Sequence, residues 1–367
     1  MRGGTSKALV FHARDLPTDL AARDAIFIAA IGSPDHYGRQ LNGMGGGVSS
    51  LSKVCLVGSP SRDDADVDYT FGQVQIKEAR VDYRSNCGNM SSAIGPFAVD
   101  QGLVNSRDGM ATVRIHNTNT GKLIHSTFSV RSGRVIEEGS LEIPGVAGTG
   151  APIRLDFLHP GGSGTGKLLP SGNVADVLHV PGVGQIEVSM VDAANACVFI
   201  NAADVGLLGT ELPDQLELDA NLLTLLASIR QQASVAMGIA PDFGAAAAPA
   251  IPFIGFVSPA QDSPTLSGDG VAAAETDVTV RMLSNGQPHR ALPATAALCV
   301  AVAAGIEGTV VQRAARRGRT SDTLRIGMPS GILQVGASVR RDGPTWHAQH
   351  GTFYRTARRL FEGFVYV

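Results

Sequence analysis

At 367 residues the chain is too long for one small domain, and two domains of ordinary size are expected. Its 44% hydrophobic and 17% charged residues describe a globular protein, and a net charge of -3 gives no electrostatic case for nucleic acid or an anionic membrane surface. Four cysteines, Cys55, Cys87, Cys197 and Cys299, lie far apart without C-x-x-C spacing, which argues against a disulfide framework or a structural zinc site and fits a reducing compartment. No charged stretch with an apolar core opens the chain, and no apolar run approaches the ~18 residues of a membrane span. A cytoplasmic protein is expected, and the basic run "QRAARRGRT" (312–320) reads as a solvated helix end.

In chain order, the opening "RGGTSK" sets three donors, Thr5, Ser6 and Lys7, on a glycine turn. A helix is expected over "PTDLAARDAIFIAAIG" (17–32), with Thr18 as N-cap. Strands follow at "KVCLVGS" (53–59), "YTFGQVQI" (69–76), "ATVRIHNT" (111–118) and "STFSVRSG" (126–133). Lys53 begins the first of these. It is either a solvated strand end or, desolvated beside cations or helix N-termini, a usable base.

Between them, "RSNCGNMSSAIGPFAV" (84–99) puts Met90, Ala93, Ile94, Phe97 and Ala98 on one helical face. Cys87 falls at or just before the start of that helix, where unpaired N–H groups and the dipole favour negative charge. The position suits an activated thiol or a carboxylate cradle, and equally a plain cap with a buried sulfur. Asn86, Gly88 and Asn89 allow close backbone approach and add donors.

In the second half, strands are expected at "IEVSMVDA" (186–193), "ACVFINA" (196–202), "IPFIGFV" (251–257) and "DVTVRML" (277–283). "DANLLTLLASIRQQASVAMG" (219–238) carries leucines at helical spacing, and "PATAALCVAVAAGIEG" (293–308) is apolar nearly all round and so should be buried. Arg281 is either a surface residue or a bidentate carboxylate clamp. Each half thus has many strands and one apolar helix after a turn. Two β-rich α+β domains are the simplest architecture, each wrapping its sheet around a central helix, with a boundary near "HVPGVGQ" (179–185).

"GGSGTGKL" (161–168) fits G-x-x-x-x-G-K, but Leu168 stands where a phosphate loop needs Ser or Thr, and neither a preceding strand nor a following helix is expected. No glycine cluster has a dinucleotide-binding context, and the nine histidines show no metal-binding pair. Taken together, the remaining groups describe a site for a small polyanion with one thiol and one amine available for proton transfer.

These residues resemble a known family. "MRGGTSK", "GRQLNGMGGG…SSLSKVCLVGSPS", "DADVDYTFGQV", "NCGN…GPFAVDQGLV", "IHNTNTGKL", "TGKLLPSGNVADVL", "RIGMPSGIL" and "RTARRLFEGFVYV" are similar to segments of the PrpF-like family, and the similarity spans nearly the whole chain. That family contains 2-methylaconitate cis-trans isomerases, methylitaconate delta-isomerases and 4-oxalomesaconate tautomerases.

The resemblance implies a diaminopimelate-epimerase-like α+β fold. Two similar domains, each a central helix wrapped by a barrel-like mixed sheet, would meet at an active-site cleft. The first would cover 1–182, completed by a returning C-terminal segment at 352–367 whose last strand is 363–367; the second would cover 183–351. Family members usually carry a short strand before "MRGGTSK", so the expectation is either a misassigned start or an edge strand missing from the first domain. No cofactor or metal is expected. Lys53 matches the family's catalytic lysine and Cys87 its cysteine. Ser6 matches the serine of the opening motif, beside Thr5, while Asn86, Gly88, Asn89, Arg281, Ser330 and Gly331 match segments that line the substrate cleft. Epimerases of this fold need a cysteine at each central helix, and Cys299 falls about a turn inside the second, which disfavours a racemase.

The implied reaction is a 1,3-proton shift or cis-trans isomerisation of a small unsaturated di- or tricarboxylic acid. Lys53, neutral by desolvation, removes an allylic proton, and helix N-terminal amides and asparagines stabilise the dienolate-like anion. Cys87 supplies the second proton or holds a carboxylate. The resemblance also allows a homodimer and a functional link to an aconitase-like dehydratase. The rival expectation is a non-catalytic partner of such a dehydratase or carrier of its product.

Overall fold

Strands form at every run read from its apolar pattern, and the chain divides into two units, Met1–Leu158 with Tyr354–Val367, and His159–Phe353. The computed structural model describes residues 1–83, 87–181, 184–247, 251–284, 286–318 and 323–367. The chain leaves the first unit at Leu158, earlier than the expected 182. The strands flanking "HVPGVGQ", Asp176–Val180 and Gly184–Ala193, pair with each other inside the second unit, so its glycines and proline separate neighbours rather than domains.

In the first unit the strands are β1 (Arg2–Gly3), β2 (Ser6–His12), β3 (Lys53–Gly58), β4 (Val67–Val74), β5 (Val81–Asp82), β6 (Gly109–Asn117), β7 (Lys122–Arg131) and β8 (Ile153–Leu158). β2 and β3 run parallel, β3 and β4 antiparallel, β4 and β6 parallel, and β6, β7 and β8 antiparallel in turn. Helix α1 (Leu20–Ile31) starts one residue later than expected. Its N-cap is Asp19, whose carboxylate accepts from the Ala22 amide at 2.8 Å.

Helix α2 (Gly88–Asp100) follows Cys87 and touches β1, β2, β3, β6, β7 and β8. Periodicity suggested one apolar face. The sheet instead curves round the helix, and Ser91 and Ser92 are as buried as Ala93 and Ile94. Small residues make this enclosure feasible. A Cβ at Gly95 would lie 2.6 Å from Ser126 Oγ and 2.7 Å from the Phe128 ring, both on β7.

The second unit repeats this plan. β9 (Asp176–Val180), β10 (Gly184–Ala193) and β11 (Asn195–Asn201) are antiparallel neighbours, β11 is parallel to β12 (Phe253–Pro259), and β12 is antiparallel to β13 (Val278–Ser284). β13 is parallel to β14 (Thr323–Met328), which is antiparallel to β15 (Gly331–Asp342) and so to β16 (Thr345–Arg355). Helix α3 (Ala220–Ala236) lays Leu222, Leu226, Ile229 and Ala233 on the sheet. Helix α4 (Ala294–Gly305) is the buried counterpart of α2, as its apolar composition requires.

The parallel pairs β2–β3 and β11–β12, the antiparallel pairs β3–β4 and β12–β13, and the parallel pairs β4–β6 and β13–β14 correspond. A side-chain staple recurs at the same place. Asp66 accepts from the Arg114 amide at 2.7 Å and from Nη2 at 2.6 Å, and Asp277 accepts from the Arg325 amide and Nη2, each at 2.8 Å. Each aspartate amide in turn donates to that arginine's carbonyl. This is the epimerase-like arrangement expected, a central helix and mixed sheet in each unit.

The return to the first unit differs from expectation. It is made by β17 (Ala357–Arg358), which pairs with β1, and residues 363–367 are not a strand. Phe364 and Tyr366 there are 93% and 96% exposed, so their apolar alternation has no partner to bury it.

Candidate active site

Lys53 is the first residue of β3, paired in register with Ala8 of β2 on one side and Gln73 of β4 on the other. The strand is buried at nearly every position, and Lys53 is itself only 9% exposed. Its Nζ donates to Gln73 Oε1 at 2.5 Å and stands 5.1 Å from the centre of the Phe71 ring. Among the described residues no carboxylate lies within ion-pair distance of it. The alternative of a solvated strand end is therefore excluded.

Cys87 is the N-cap of α2 and is half-buried. Its carbonyl accepts from the Ser91 amide at 3.0 Å and from Ser91 Oγ at 3.1 Å, while the thiol makes no capping bond. The sulfur thus stands at the electropositive end of the helix without capping it. Beneath it lie Cys55 and Tyr69, fully buried, with Cys55 Sγ 3.9 Å from Tyr69 Oη. Burial pushes the Cys55 thiol up to about 12, the charge of Cys87 adds to this, and Tyr69, then the Met1 ammonium and Lys53, pull the other way. Cys55 is therefore an inert thiol within electrostatic reach of both candidate groups.

The opening motif closes over the start of α2. A Cβ at Gly3 would lie 2.7 Å from the Asn89 carbonyl oxygen, and one at Gly4, where φ is +51°, would lie 2.3 Å from Asn89 Oδ1. Asn89 Nδ2 donates to Thr5 Oγ1 at 3.0 Å, and Asn89 Oδ1 accepts from Arg355 Nε at 3.1 Å. Since arginine only donates, the Asn89 amide has one orientation, and Thr5, as acceptor, keeps its own proton for another group. Arg355 is 7% exposed, also donates to the Tyr354 carbonyl, and is pushed down to about 10 by burial. It was missed as a site residue; its only sequence signal is the "RTARR" segment. Ser6 is buried where β2 begins, Gly88 is the buried first residue of α2, and Asn86 lies outside the described residues.

Arg281, Ser330 and Gly331 belong to the second unit. Arg281 is 1% exposed, and its guanidinium donates to the carbonyls of Glu211 at 2.6 Å, Thr210 at 3.0 Å, Val280 at 3.1 Å and Gly327 at 3.5 Å. A bidentate clamp needs two parallel N–H groups on one edge, and backbone already occupies them. Arg281 ties the 210–211 loop to β13 and β14 instead. Ser330 keeps a buried hydroxyl without a partner, and Gly331 has φ +119° with open space where a Cβ would stand.

The glycine-rich stretch 161–168 wraps an anion of the chain's own. Asp192 Oδ2 accepts from the Gly164 amide at 2.8 Å, the Thr165 amide at 2.6 Å and Thr165 Oγ1 at 2.8 Å. The carboxylate sits where a phosphate would be held. Among the described residues no group of three or more His, Cys, Asp or Glu converges as a metal site. In the second unit Phe253 opens the strand equivalent to β3 and Pro293 caps the helix equivalent to α2, while Cys299 is buried with its thiol on the Val191 carbonyl at 3.3 Å. Two hollows of about 780 and 540 Å³ on the first unit hold none of the candidate groups.

The chain is similar to known proteins over its whole length. A family model described as PrpF protein matches residues 1–367. A 3-methylitaconate isomerase of Eubacterium barkeri is 42% identical over 370 residues, covering 100% of this chain and 96% of that protein. A 2-methyl-aconitate isomerase of Shewanella oneidensis is 40% identical, covering 100% of this chain and 95% of its own. A (4E)-oxalomesaconate Delta-isomerase of Novosphingobium sp. (strain KA1) is 37% identical, with 100% and 96% covered. The crystal structure of a methylitaconate-delta-isomerase matches with a TM-score of 0.92 at 41% identity, over 100% of this chain and 94% of that one. No helix among the described residues is long and apolar enough to cross a membrane.

Proposed function

The chain belongs to the PrpF family, and from that premise we propose that it is an isomerase of small unsaturated di- or tricarboxylic acids, acting by proton transfer to Lys53. The relatives named for methylitaconate, 2-methyl-aconitate and oxalomesaconate share one feature of substrate chemistry. A proton next to a carbon–carbon double bond becomes acidic when its anion delocalises onto a carboxylate.

The observation that carries the reading is a buried lysine amine with no countercharge among the described residues, in the same unit as a helix whose N-cap thiol makes no capping bond. Lys53 takes the allylic proton. The first-turn amides of α2 and the Thr5 hydroxyl donate to the substrate carboxylates and stabilise charge as it builds. Returning the proton to the far carbon moves the double bond; rotation before its return to the original carbon interconverts cis and trans. Cys87 either delivers that second proton or holds a carboxylate.

The test uses purified protein, a panel of aconitate-type acids and proton NMR in D2O. Isomerisation with solvent deuterium uptake is expected for at least one acid. Folded protein that produces neither would sink the reading.

A further inference from the structure

What an amine faces decides how easily it gives up a proton, and the structure sets one neutral group against Lys53. Gln73 Oε1 accepts from Nζ, and the carboxamide is itself held from behind. Gln73 Nε2 donates to the carbonyls of Ser52 at 2.9 Å, Ser49 at 3.1 Å and, more distantly, Val74 at 3.4 Å. Carbonyls only accept, so the nitrogen must face them and the oxygen must face the lysine.

Among the described residues, the charged groups on the elements packed around β3 are engaged elsewhere or carry no negative charge, and the Met1 ammonium that acts on Cys55 together with Lys53 is a cation. Lys7 and His12 are on β2; Arg14 and Asp15, in the turn Ala13–Asp15, pair with each other at 3.6 Å. Asp68 on β4 holds His116 at 2.9 Å, Asp82 on β5 is 3.6 Å from Arg80, and α2 is capped by Cys87. In the repeated plan of the second unit, Phe253 opens the strand equivalent to β3 and Ser284 closes its partner. Amine and amide are present together in one unit and absent together from the other.

We propose that Gln73 is the positioning residue of the base: it fixes the Lys53 amine by a hydrogen bond to an uncharged oxygen, so that the ammonium form gains no countercharge to hold its proton. The inference rests on Lys53 being the base. With one N–H on Gln73, the neutral amine has its lone pair for the substrate proton, and the resulting ammonium keeps the same anchor. A carboxylate in place of the amide would favour the ammonium and remove the base from its working form.

The experiment is an NMR titration of protein carrying lysine labelled with ¹³C at the ε-carbon, with the Lys53 signal identified by its loss in Lys53→Ala, alongside kcat against pH. Gln73→Glu is expected to raise the titration midpoint by about one unit or more and to move the acidic limb of the kcat profile to higher pH by the same amount. Gln73→Met, similar in length and without an acceptor, is expected to lower the midpoint and to reduce kcat with KM little changed. A midpoint that neither variant moves, or that both move in one direction, overturns the proposal. If Gln73→Glu does not fold, an unchanged midpoint in Gln73→Met overturns it alone. Turnover that survives Lys53→Ala overturns the base assignment instead, while the titration, read at the amine itself, still reports on Gln73.

Discussion

The Lys53 amine is buried at the head of a strand and anchored by one amide, and that geometry makes it the first residue to change. Lys53→Ala is expected to lower kcat by about 10²–10⁴, the range for removing a positioned acid or base, with an unaltered circular dichroism spectrum. Cys87→Ser should cost less, measured in the same assay, because the α2 amides that favour an anion are backbone and survive the change. Arg355 acts through Asn89. Arg355→Lys loses the Nε donor that fixes the amide, and KM should rise about tenfold with kcat held within a small factor, as expected when an interaction common to ground and transition state is weakened. Steady-state kinetics on the most active acid of the panel decides between these outcomes.

At the scale of elements, the opening turn and α2 are one construction. Gly4 lies in the left-handed region, and a Cβ there would meet Asn89 Oδ1 at 2.3 Å. Gly4→Ala should therefore destabilise the protein by about 1 kcal/mol or more in denaturant melts and raise KM as Asn89 is displaced. The β4–β6 staple has a pH signature. Burial pushes the Asp66 carboxyl up, but hydrogen bonds from the Arg114 side chain and backbone and the guanidinium charge outweigh it and hold the group below its ordinary 3.8. Its stabilisation is complete above that value and is lost as pH falls through the lower folded one. Asp66→Asn should remove this part of the acid dependence of unfolding, with little further effect of the substitution in the most acid range. The alternating strands and the apolar central helices were legible because their periods are local. β15 and β16 were not, since "GASVRRD" and "TWHAQH" put polar groups on both faces of long, half-exposed strands.

For the whole molecule, two units of one topology differ in chemistry: Lys53, Gln73 and Cys87 stand in the first where Phe253, Ser284 and Pro293 stand in the second. A racemase needs a base for each face of its substrate, and the second helix offers only a thiol bound to a carbonyl. Proline and other free amino acids should show no deuterium uptake at the α-carbon in D2O under conditions where the unsaturated acids exchange. Phe253→Ala should lower the melting temperature and leave the shape of the pH–rate profile unchanged, since the position carries packing rather than proton transfer.

The family, the element types and the two candidate groups, Lys53 and Cys87, were available from the order of residues alone, because motifs, periodicity and a helix start are properties of neighbours in the chain. Partnership was not. That Lys53 meets Gln73, that Asn89 is locked by Arg355 from the far end of the chain, that Asp192 fills the glycine-rich loop and that Arg281 is held by four carbonyls all depend on strand register and on which loop crosses which sheet. A buried donor or acceptor takes whatever partner the tertiary structure brings within about 3 Å, and only the folded chain decides which one that is.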